Sequence, residues 1–377
     1  AEVIKIEKPG GDPSRRIGPF YQNIPDPERS LYWFAYNMGK KSVTLDIHSI
    51  EGQEVFMKMV KHADVVIESF PPRYLCQFGL DYPVLRKLSP KLIMCSVTPY
   101  GSTGPYKDYK ASDLVAMAEG GLTLWSGFQD SPPLTIPFLQ SYLCAGAWAA
   151  IAVIGALYYR ELTGKGQFVD MSICEAATWT SYVVQEYWAY ANTLLKREGQ
   201  WRQFGHVKIQ RVFTCKDGLV TFILFGGVGA AAGQKELVKW MERDGLCPDW
   251  LKEFDFSTWD VNSTTQEVAS LLSNAFDRFF RTKTKEELFK AALRHGFYLA
   301  PVQNARDLLD FPQLKARNFW VKVEHPELKA AFTYPGPFIR MTGICARERA
   351  PLIGEHNDEL RVKFARSPTI KRVERSS

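Results

Sequence analysis

The sequence predicts an α/β protein in which a large domain with a doubly wound parallel sheet is joined to a smaller α+β domain. The chain of 377 residues is long enough for two domains, and 46% of its residues are hydrophobic, which suits a large core. Short apolar runs alternate with helical stretches over the first half, as is typical of parallel strands connected by helices. After about residue 198 the pattern changes to a hairpin followed by helices. These features together predict a Rossmann-like sheet and a separate second domain.

The first domain is predicted to open on a strand, because Val3, Ile4 and Ile6 fall in a strand-like run at residues 1–7. Further strands are predicted at residues 42–47, 64–67 and 91–97, and helices at residues 50–61, 82–87 and 113–122. Residues 131–159 hold no charged side chain and predict one long helix, which ends at the turn formed by residues 163–166. Its small residues favour burial by the sheet and a partner chain over a membrane span. A strand at 167–173 and an aromatic-rich helix at 175–195 are predicted to follow.

The second domain is predicted from a hairpin, in which residues 207–213 and 219–225 flank the turn residues Lys216, Asp217 and Gly218. Helices are predicted at residues 234–243, 265–281 and 285–295. The glycine-rich residues 226–233 follow a strand and open a helix, so they either cradle a phosphate or serve close packing. The predicted limits are 1–198 for the large domain, 199–312 for the small domain, and 313–377 for a segment that returns to the large domain.

Composition narrows the classes of function. The seven cysteines form no Cys-x-x-Cys pair and the six histidines no pair at metal-ligand spacing, so we expect no metal site and a cytoplasmic protein. The net charge of +6 comes with basic residues that cluster only at residues 361–375. A solvated tail explains that cluster, and we therefore expect neither a nucleic-acid nor a membrane partner.

Five segments carry a resemblance to a known family: residues 1–12 (AEVIKIEKPGGD), 41–46 (KSVTLD), 63–70 (ADVVIESF), 163–167 (TGKGQ) and 351–356 (PLIGEH). In order and spacing, from residue 1 to about residue 360, the chain resembles the class III CoA-transferases, the CaiB/BaiF family. The resemblance implies coenzyme A as part of the substrate thioester, with an acyl-CoA and a carboxylic acid as binding partners. It also implies an interlocked dimer, formed with an identical or a homologous subunit. Family members carry a strand, a turn and a helix ahead of the point where this sequence starts.

The resemblance places Tyr142 where the family carries its catalytic aspartate, one helix before the turn at residues 163–166. A phenol is a poor substitute, since a pKa near 10 leaves roughly 0.1% of it ionised at neutral pH. Tyr142 could instead donate a hydrogen bond to a thioester carbonyl, or simply pack at the start of a buried helix. Asp113 matches an acid beside the active site, where it orients substrate, polarises Tyr142 or caps a helix. Ser112 stands where the family's racemases carry histidine, so racemisation lacks both catalytic groups.

Contacts to coenzyme A are also implied by position. The residues that match the family's cofactor contacts are Lys8, Leu45, His48, Ser69, Phe70, Gln77, Phe78 and Lys110. Of these, Gln77 replaces an arginine that stacks on the adenine in the family, which predicts a loss of about 1–2 kcal/mol of binding free energy. Six aromatic residues either line a pocket for a bulky aromatic acid or pack in the core: Trp125, Trp148, Trp179, Tyr182, Tyr187 and Trp188.

Three functions follow from this reading. In the first, the chain is the aspartate-less subunit of a heteromeric CoA-transferase, and a related chain supplies the carboxylate. In the second, the same scaffold runs a lyase, hydratase or isomerase reaction on a CoA ester, using Tyr142 and Asp113. In the third, the chain is a non-catalytic binding or scaffolding protein, which the absence of acyl-CoA binding would favour.

Overall fold

The computed structural model describes residues 1–341 and 348–365, and these fold into two compact units. Unit 1 contains residues 1–120, 137–181 and the described residues from 309 onward, and unit 2 contains residues 121–136 and 182–308. Both units are therefore discontinuous in sequence. Residues 342–347 of the predicted C-terminal segment and its basic residues after 365 lie outside the described residues. The predicted domain limits at 198 and 312 stay a prediction.

Unit 1 opens with parallel strands. Strands β1 (Ile4–Glu7) and β2 (Lys41–Thr44) pair in parallel, and β3 (Val65–Glu68), β4 (Ile93–Thr98) and β5 (Phe168–Ser172) form a parallel sheet in the order β3-β4-β5. The intervening helices are α1 (Leu31–Tyr36), α2 (Ile50–Val60), α3 (Tyr82–Leu88), α4 (Asp113–Glu119), α5 (Gln140–Thr163) and α6 (Ile173–Thr180). The predicted α/β class with parallel sheets is confirmed.

The long apolar helix α5 is buried along one stripe only. Its buried residues recur every three or four positions: Ser141, Ala145, Ala149, Val153 and Ala156. Ala149 and Val153 pack with Cys95 of β4 and with the half-buried Val169 of β5, because their small size brings the helix close to the sheet. By length and composition alone, α5 could cross a membrane. The part of α5 that faces away from the sheet is apolar and exposed in this single chain.

The predicted aromatic helix at 175–195 is broken. Helix α6 ends at Thr180, and α7 (Tyr182–Ala191) starts after Ser181. The hydroxyls of Thr178 and Thr180 donate to carbonyls four residues earlier, and the Ser181 hydroxyl donates to the Gly120 and Thr178 carbonyls. Such side-chain bonds compete with the helical backbone pattern, which explains the interruption.

Unit 2 is an α+β structure. Its strands are β6 (Trp201–Phe204), β7 (Val207–Gln210), β8 (Val212–Cys215), β9 (Gly218–Phe222) and β10 (Leu299–Pro301), and its helices after α7 are α8 (Val228–Arg243), α9 (Asp249–Lys252), α10 (Gln266–Phe280), α11 (Lys285–His295) and most of α12 (Ala305–Asp310). The β8–β9 hairpin turns at residues 216–217, inside the predicted turn. A buried phenylalanine cluster forms its core, with the Phe222 ring 5.2 Å from Phe276 and 5.3 Å from Phe280.

The chain ends in unit 1. Helix α13 (Pro312–Ala316) leads into the antiparallel pair β11 (Trp320–His325) and β12 (Ala330–Pro335), and α14 (Asn357–Ala365) packs against β2 and α2. Leu360 of α14 is buried beside Val43 and Met59, so this last described helix is part of the unit 1 core.

Candidate active site

The start of α5 is tied to the start of α4 by Asp113. The buried Asp113 carboxylate accepts hydrogen bonds from the backbone N–H of Ser141 at 2.9 Å and from its hydroxyl at 2.6 Å. Asp113 therefore caps α5, which starts 27 positions further along the chain, rather than its own helix. An ionised carboxylate at a helix N-terminus is favoured by the exposed amides and the helix dipole.

Tyr142 is the next residue on α5, and its phenol oxygen accepts a hydrogen bond from the backbone N–H of Asp113. Partial burial and the nearby Asp113 carboxylate raise the pKa of Tyr142 above its usual value. The phenol is consequently neutral at pH 7 and still has a proton to donate. With 39% of its surface exposed, Tyr142 can meet a ligand. In chemical terms this is a hydrogen-bond donor for a carbonyl oxygen, not a nucleophile.

Three of the predicted coenzyme A residues lie together at the carboxyl ends of β2 and β3. His48, Phe70 and Phe78 surround Tyr74: the His48 Nε2 is 2.9 Å from the Tyr74 hydroxyl, and Phe70 stacks on Tyr74 at 4.9 Å. Phe78 contacts His48 at 5.1 Å and Tyr74 at 5.4 Å, edge to face. Ligands of parallel α/β sheets bind at this edge, so the cluster is suitably located for one.

A second aromatic pair follows β4. Tyr106 and Tyr109 stack with ring centroids 5.1 Å apart and planes 17° from parallel, and Tyr109 is 61% exposed. Arg73, next to Tyr74, donates to the two oxygens of Asp108 at 3.1 and 3.3 Å, which joins the loop of this pair to the first cluster. The predicted contact Lys110 is exposed in the same loop. Flat rings beside cations are a common arrangement for binding a base and phosphates.

A cavity of about 320 Å³ lies at the carboxyl ends of β4 and β5. Its walls include Tyr100, Gly104, Tyr106 and Asp170. A hydrogen bond to Glu119 raises the pKa of Tyr100 to about 12. Asp170 is held by the backbone N–H of Ser102 at 3.0 Å and by its hydroxyl at 2.6 Å. The cavity thus adjoins the tyrosine pair and has fixed polar walls.

Of the remaining predicted coenzyme A residues, Gln77 donates its backbone N–H to the Tyr74 carbonyl at 3.2 Å. No hydrogen bond among the described residues joins Lys8, Leu45 or Ser69 to these clusters. Lys8 and Ser69 are exposed, and they directly follow β1 and β3. Leu45 is half-buried, and its backbone N–H donates to the backbone carbonyl of Glu7 at 2.7 Å. Gln77 is exposed in the short helical turn Leu75–Phe78. Their roles stay predictions.

Other acids near Tyr142 in sequence have different surroundings. Glu119 is hydrogen-bonded to Tyr100, and Asp130 is an exposed residue of unit 2 that accepts from Ser131 at 3.2 Å. The six aromatic residues suggested for an acid pocket also separate. Trp148 and Trp179 contact each other at 6.1 Å in unit 1, whereas Trp125 and Trp188 line a cavity in unit 2.

The signature segments at residues 1–12, 41–46 and 351–356 meet around a buried arginine. Arg15 is fully buried and donates to both carboxylate oxygens of Glu7, at 2.7 and 2.8 Å, and to Glu28 at 2.8 Å. Its guanidinium carbon lies 3.7 Å above the Trp33 ring. The Pro351 carbonyl accepts from Arg15 at 3.0 Å and from the Trp33 indole at 3.1 Å.

Ser42 extends the hydrogen-bond network around Arg15. Its hydroxyl donates to the Glu7 carboxylate at 2.6 Å and accepts from the backbone N–H of Gly354 at 2.9 Å. Burial opposes ionisation of Glu7, but the hydrogen bonds from Arg15, Ser42 and the Asp12 amide outweigh it and lower the pKa of Glu7. Much of the family resemblance therefore lies in residues with a structural role, since they bond the N-terminal segments to residues 351–354.

The glycine-rich segment at 226–233 serves close packing. A Cβ on Gly226 would lie 1.6 Å from the Trp259 carbonyl, and one on Gly233 would lie 2.5 Å from the Gly296 carbonyl. These contacts support the packing interpretation over the phosphate cradle. Among the described residues, no group of three or more His, Cys, Asp or Glu side chains could hold a metal ion.

Sequence reasoning missed Tyr74 and the tyrosine pair. Tyr74 lies four residues from both Phe70 and Phe78, a spacing that could have indicated one aromatic group. Tyr106 and Tyr109 lie in a loop beside Lys107 and Lys110, but nothing local predicts that the rings stack.

Comparison with known proteins identifies the family. The profile of CoA-transferase family III matches residues 1–357, and the chain belongs to this family. It is 34% identical over 368 residues to the succinyl-CoA:(R)-benzylsuccinate CoA-transferase subunit BbsE of Thauera aromatica, covering 96% of this chain and 88% of that protein. It is 30% identical over 379 residues to the succinyl-CoA–L-malate CoA-transferase beta subunit of Chloroflexus aurantiacus, covering 96% and 86%.

A solved structure supports the same assignment. The crystal structure of a CAIB/BAIF family protein from Brucella suis matches with a TM-score of 0.79 and 25% identity, covering 96% of this chain and 92% of that one. Relatives of this chain thus include CoA-transferases that act on acyl-CoA and carboxylic acids, some of them named as subunits.

Proposed function

We propose that this chain is the aspartate-less subunit of a heteromeric CoA-transferase that moves CoA between carboxylic acids. A homologous chain supplies the carboxylate that attacks the acyl-CoA, and this chain supplies structure and part of the ligand site. The observation that carries the proposal is the neutral Tyr142 phenol at the start of α5, hydrogen-bonded to the Asp113 amide. In this family, the resemblance puts a nucleophilic aspartate at that position.

Two of the relatives support the heteromer, since they are named as subunits. The exposed apolar stripe of α5 supports a partner chain. Ile151, Ile154, Tyr158 and Leu162 recur at helical spacing, and Ile154 is 65% exposed. An apolar surface of this kind marks an interaction site. We propose that a homologous subunit covers it in an interlocked, cytoplasmic assembly.

The proposed substrate is a CoA thioester bound along the carboxyl edge of the parallel strands. The cluster of His48, Phe70 and Phe78 around Tyr74 supports this location, as do the tyrosine pair and Lys110. The base of the nucleotide would stack on Tyr109, with lysines near the phosphates. Stacking there offers a substitute for the arginine that Gln77 replaces.

Co-expression with a homologous partner tests the proposal. We expect CoA transfer only when both chains are present, and loss of transfer when the partner's aspartate is replaced by alanine. Replacement of Tyr142 by phenylalanine in this chain should keep the rate of CoA transfer within about threefold of the parent, because the phenol is not the nucleophile and only one hydrogen bond is lost. Transfer by this chain alone, or a covalent acyl adduct on one of its own carboxylates, would contradict the proposal.

A second function is favoured by the raised pKa of Tyr142, since a neutral phenol can polarise a thioester carbonyl. In that case the homodimer is a lyase, hydratase or isomerase acting on a CoA ester. Tyr142→Phe should then lower turnover at least a hundredfold with the fold intact. The same variant thus separates the two functions.

A further inference from the structure

The cavity in unit 2 that Trp125 and Trp188 line has a volume of about 640 Å³. Its walls come from the helical turn Thr123–Trp125, from α7 and from the segment after α7. Leu124, Trp125, Val184, Trp188 and Leu194 make most of its lining apolar. Pockets of roughly 300–1,000 Å³ bury ligands of drug size, so a two- or four-carbon acid would leave this one largely empty.

The cavity is held in shape by backbone acceptors. The Arg197 guanidinium donates to the Phe128 carbonyl at 2.7 Å and to the Ser131 carbonyl at 2.6 Å. The Gly199 N–H donates to Gly127 at 2.9 Å, which ties the same loop to the segment after α7. Two walls from distant parts of the sequence are thereby fixed to each other. A cavity fixed in this way is pre-organised for a ligand.

The charge of the cavity selects an anion. Its lining includes two cations, Lys196 and Arg197, and no carboxylate. Arg197 is committed to the loop carbonyls. Within the described part of the chain, the exposed Lys196 has no hydrogen bond or ion pair. An uncompensated ammonium at the edge of an apolar cavity attracts a ligand that joins an apolar body to a negative group.

We infer that this cavity binds a carboxylic acid with an aromatic body, its rings against Trp125 and Trp188 and its carboxylate at Lys196. The inference rests on the proposed function and names the class of acid that this CoA-transferase subunit serves. Indole rings favour stacked or edge-to-face contact with another aromatic ring, and an ammonium favours a carboxylate. Short acids such as succinate fulfil only the second requirement.

Binding to the co-expressed complex tests the inference, with tryptophan fluorescence and calorimetry as the measurements. The probes are 2-naphthylacetate, its uncharged amide and succinate. We expect 2-naphthylacetate to bind at least tenfold more tightly than either of the others, because only it has both the rings and the charge. In Lys196→Met, binding of the acid should weaken about tenfold and binding of the amide should not change. Lys290→Met, at an exposed lysine on α11, is the matched control and should change neither.

Trp188→Ala should weaken binding of the acid and of the amide alike, because both place their rings against Trp188. Trp188→Phe keeps an aromatic ring and serves as the second variant in case Trp188→Ala misfolds. Equal binding of acid and amide, unchanged acid binding in Lys196→Met, or no binding of the acid would each overturn the inference. Binding of CoA is measured on the same samples. Retained CoA binding without binding of the acid defeats only this inference, whereas absence of CoA binding defeats the proposed function.

Discussion

The backbone N–H of Asp113 donates to the phenol oxygen of Tyr142, and the Asp113 carboxylate accepts from the neighbouring Ser141. One residue thus fixes both the start of α5 and the side chain in the position of the family's nucleophile. The carboxylate of Asp113 is already used as a helix cap. We therefore expect it to position Tyr142 rather than to attack a substrate.

Restoring a carboxylate at position 142 should restore the nucleophile. The Asp113 amide and the N-terminal amides of α5 would stabilise an ionised aspartate in Tyr142→Asp. We expect this variant, without a partner, to form a covalent adduct with an acyl-CoA, seen by mass spectrometry of the intact protein. Tyr142→Asn, which has the same shape but no nucleophile, is the control. Adducts in neither variant would argue that this site does not hold the reacting thioester.

The cap on α5 should be measurable as stability. Asp113→Asn keeps the shape but loses the charge-assisted bonds to Ser141, so the free energy of unfolding should fall by about 1–2 kcal/mol. Urea denaturation provides the measurement, with Asp130→Asn as the control at an exposed acid. No change in the midpoint for Asp113→Asn would mean that the cap does not stabilise α5.

Tyr109 should contribute to binding of the nucleotide portion of CoA. Tyr109→Ala removes a ring that can stack on a base, and we expect the affinity for CoA to fall by about tenfold. Affinity for a pantetheine thioester, which lacks the base, should stay the same. Tyr298→Ala is the control, since Tyr298 is also an exposed tyrosine with an aromatic neighbour, Phe225. An equal loss for both ligands would point to an unfolded loop instead of lost stacking.

The buried pair of Arg15 and Glu7 should make stability depend on pH. The pKa of Glu7 is lowered in the folded chain, so its contribution is full above the unfolded value of about 4.3 and is lost as the pH falls further. Glu7→Gln should cost about 3 kcal/mol at pH 7, and the difference from the parent should shrink at pH 4. Urea midpoints at both pH values measure this.

Glu28→Gln is the control for that experiment. Burial raises the pKa of Glu28, so its effect on the pH dependence of stability has the opposite sign to that of Glu7. Ionisation of Glu28 opposes folding as the pH rises above its unfolded pKa. Relative to the parent, Glu28→Gln should therefore be more favourable at pH 7 than at pH 4. The same trend for both variants would contradict the opposite roles of the two carboxylates.

The exposed stripe of α5 should govern association. Ile154→Lys introduces a charge that an apolar subunit interface cannot accept, so the assembly should dissociate in analytical ultracentrifugation. Leu293→Lys changes a similarly exposed residue on α11 and should leave the assembly intact. Dissociation of neither variant would place the interface elsewhere.

Much of the fold could be predicted because local patterns agree with it. Parallel strands at residues 41–44, 65–68 and 93–98 lie within or beside the predicted runs, and the turn at 216–217 follows from Asp217 and Gly218. The break between α6 and α7 was not predicted, because it depends on hydroxyl groups that donate to carbonyls of earlier turns and, for Ser181, also to the Gly120 carbonyl after α4. Apolar periodicity does not contain that information.

The candidate site was predicted less completely. Position in the family indicated Asp113 and Tyr142, but not that the Asp113 carboxylate would bind Ser141 instead of facing a ligand. Residues 1–12 and 351–356 match the family, but the match alone does not distinguish a structural role from a binding role. The long-range hydrogen bonds from Arg15 and Trp33 to Pro351, and from Gly354 to Ser42, make that distinction, since they join residues more than 300 positions apart.

The bond from Arg15 to the Pro351 carbonyl spans 336 residues. The ribosome synthesises Arg15 long before Pro351. Arg15 and Glu7 therefore leave the exit tunnel well ahead of the segment that covers them. During synthesis, the nascent first forty residues must wait in an unfinished state, with unit 2 free to fold in the interval. Unit 1 therefore completes this contact only after residue 351 has left the exit tunnel.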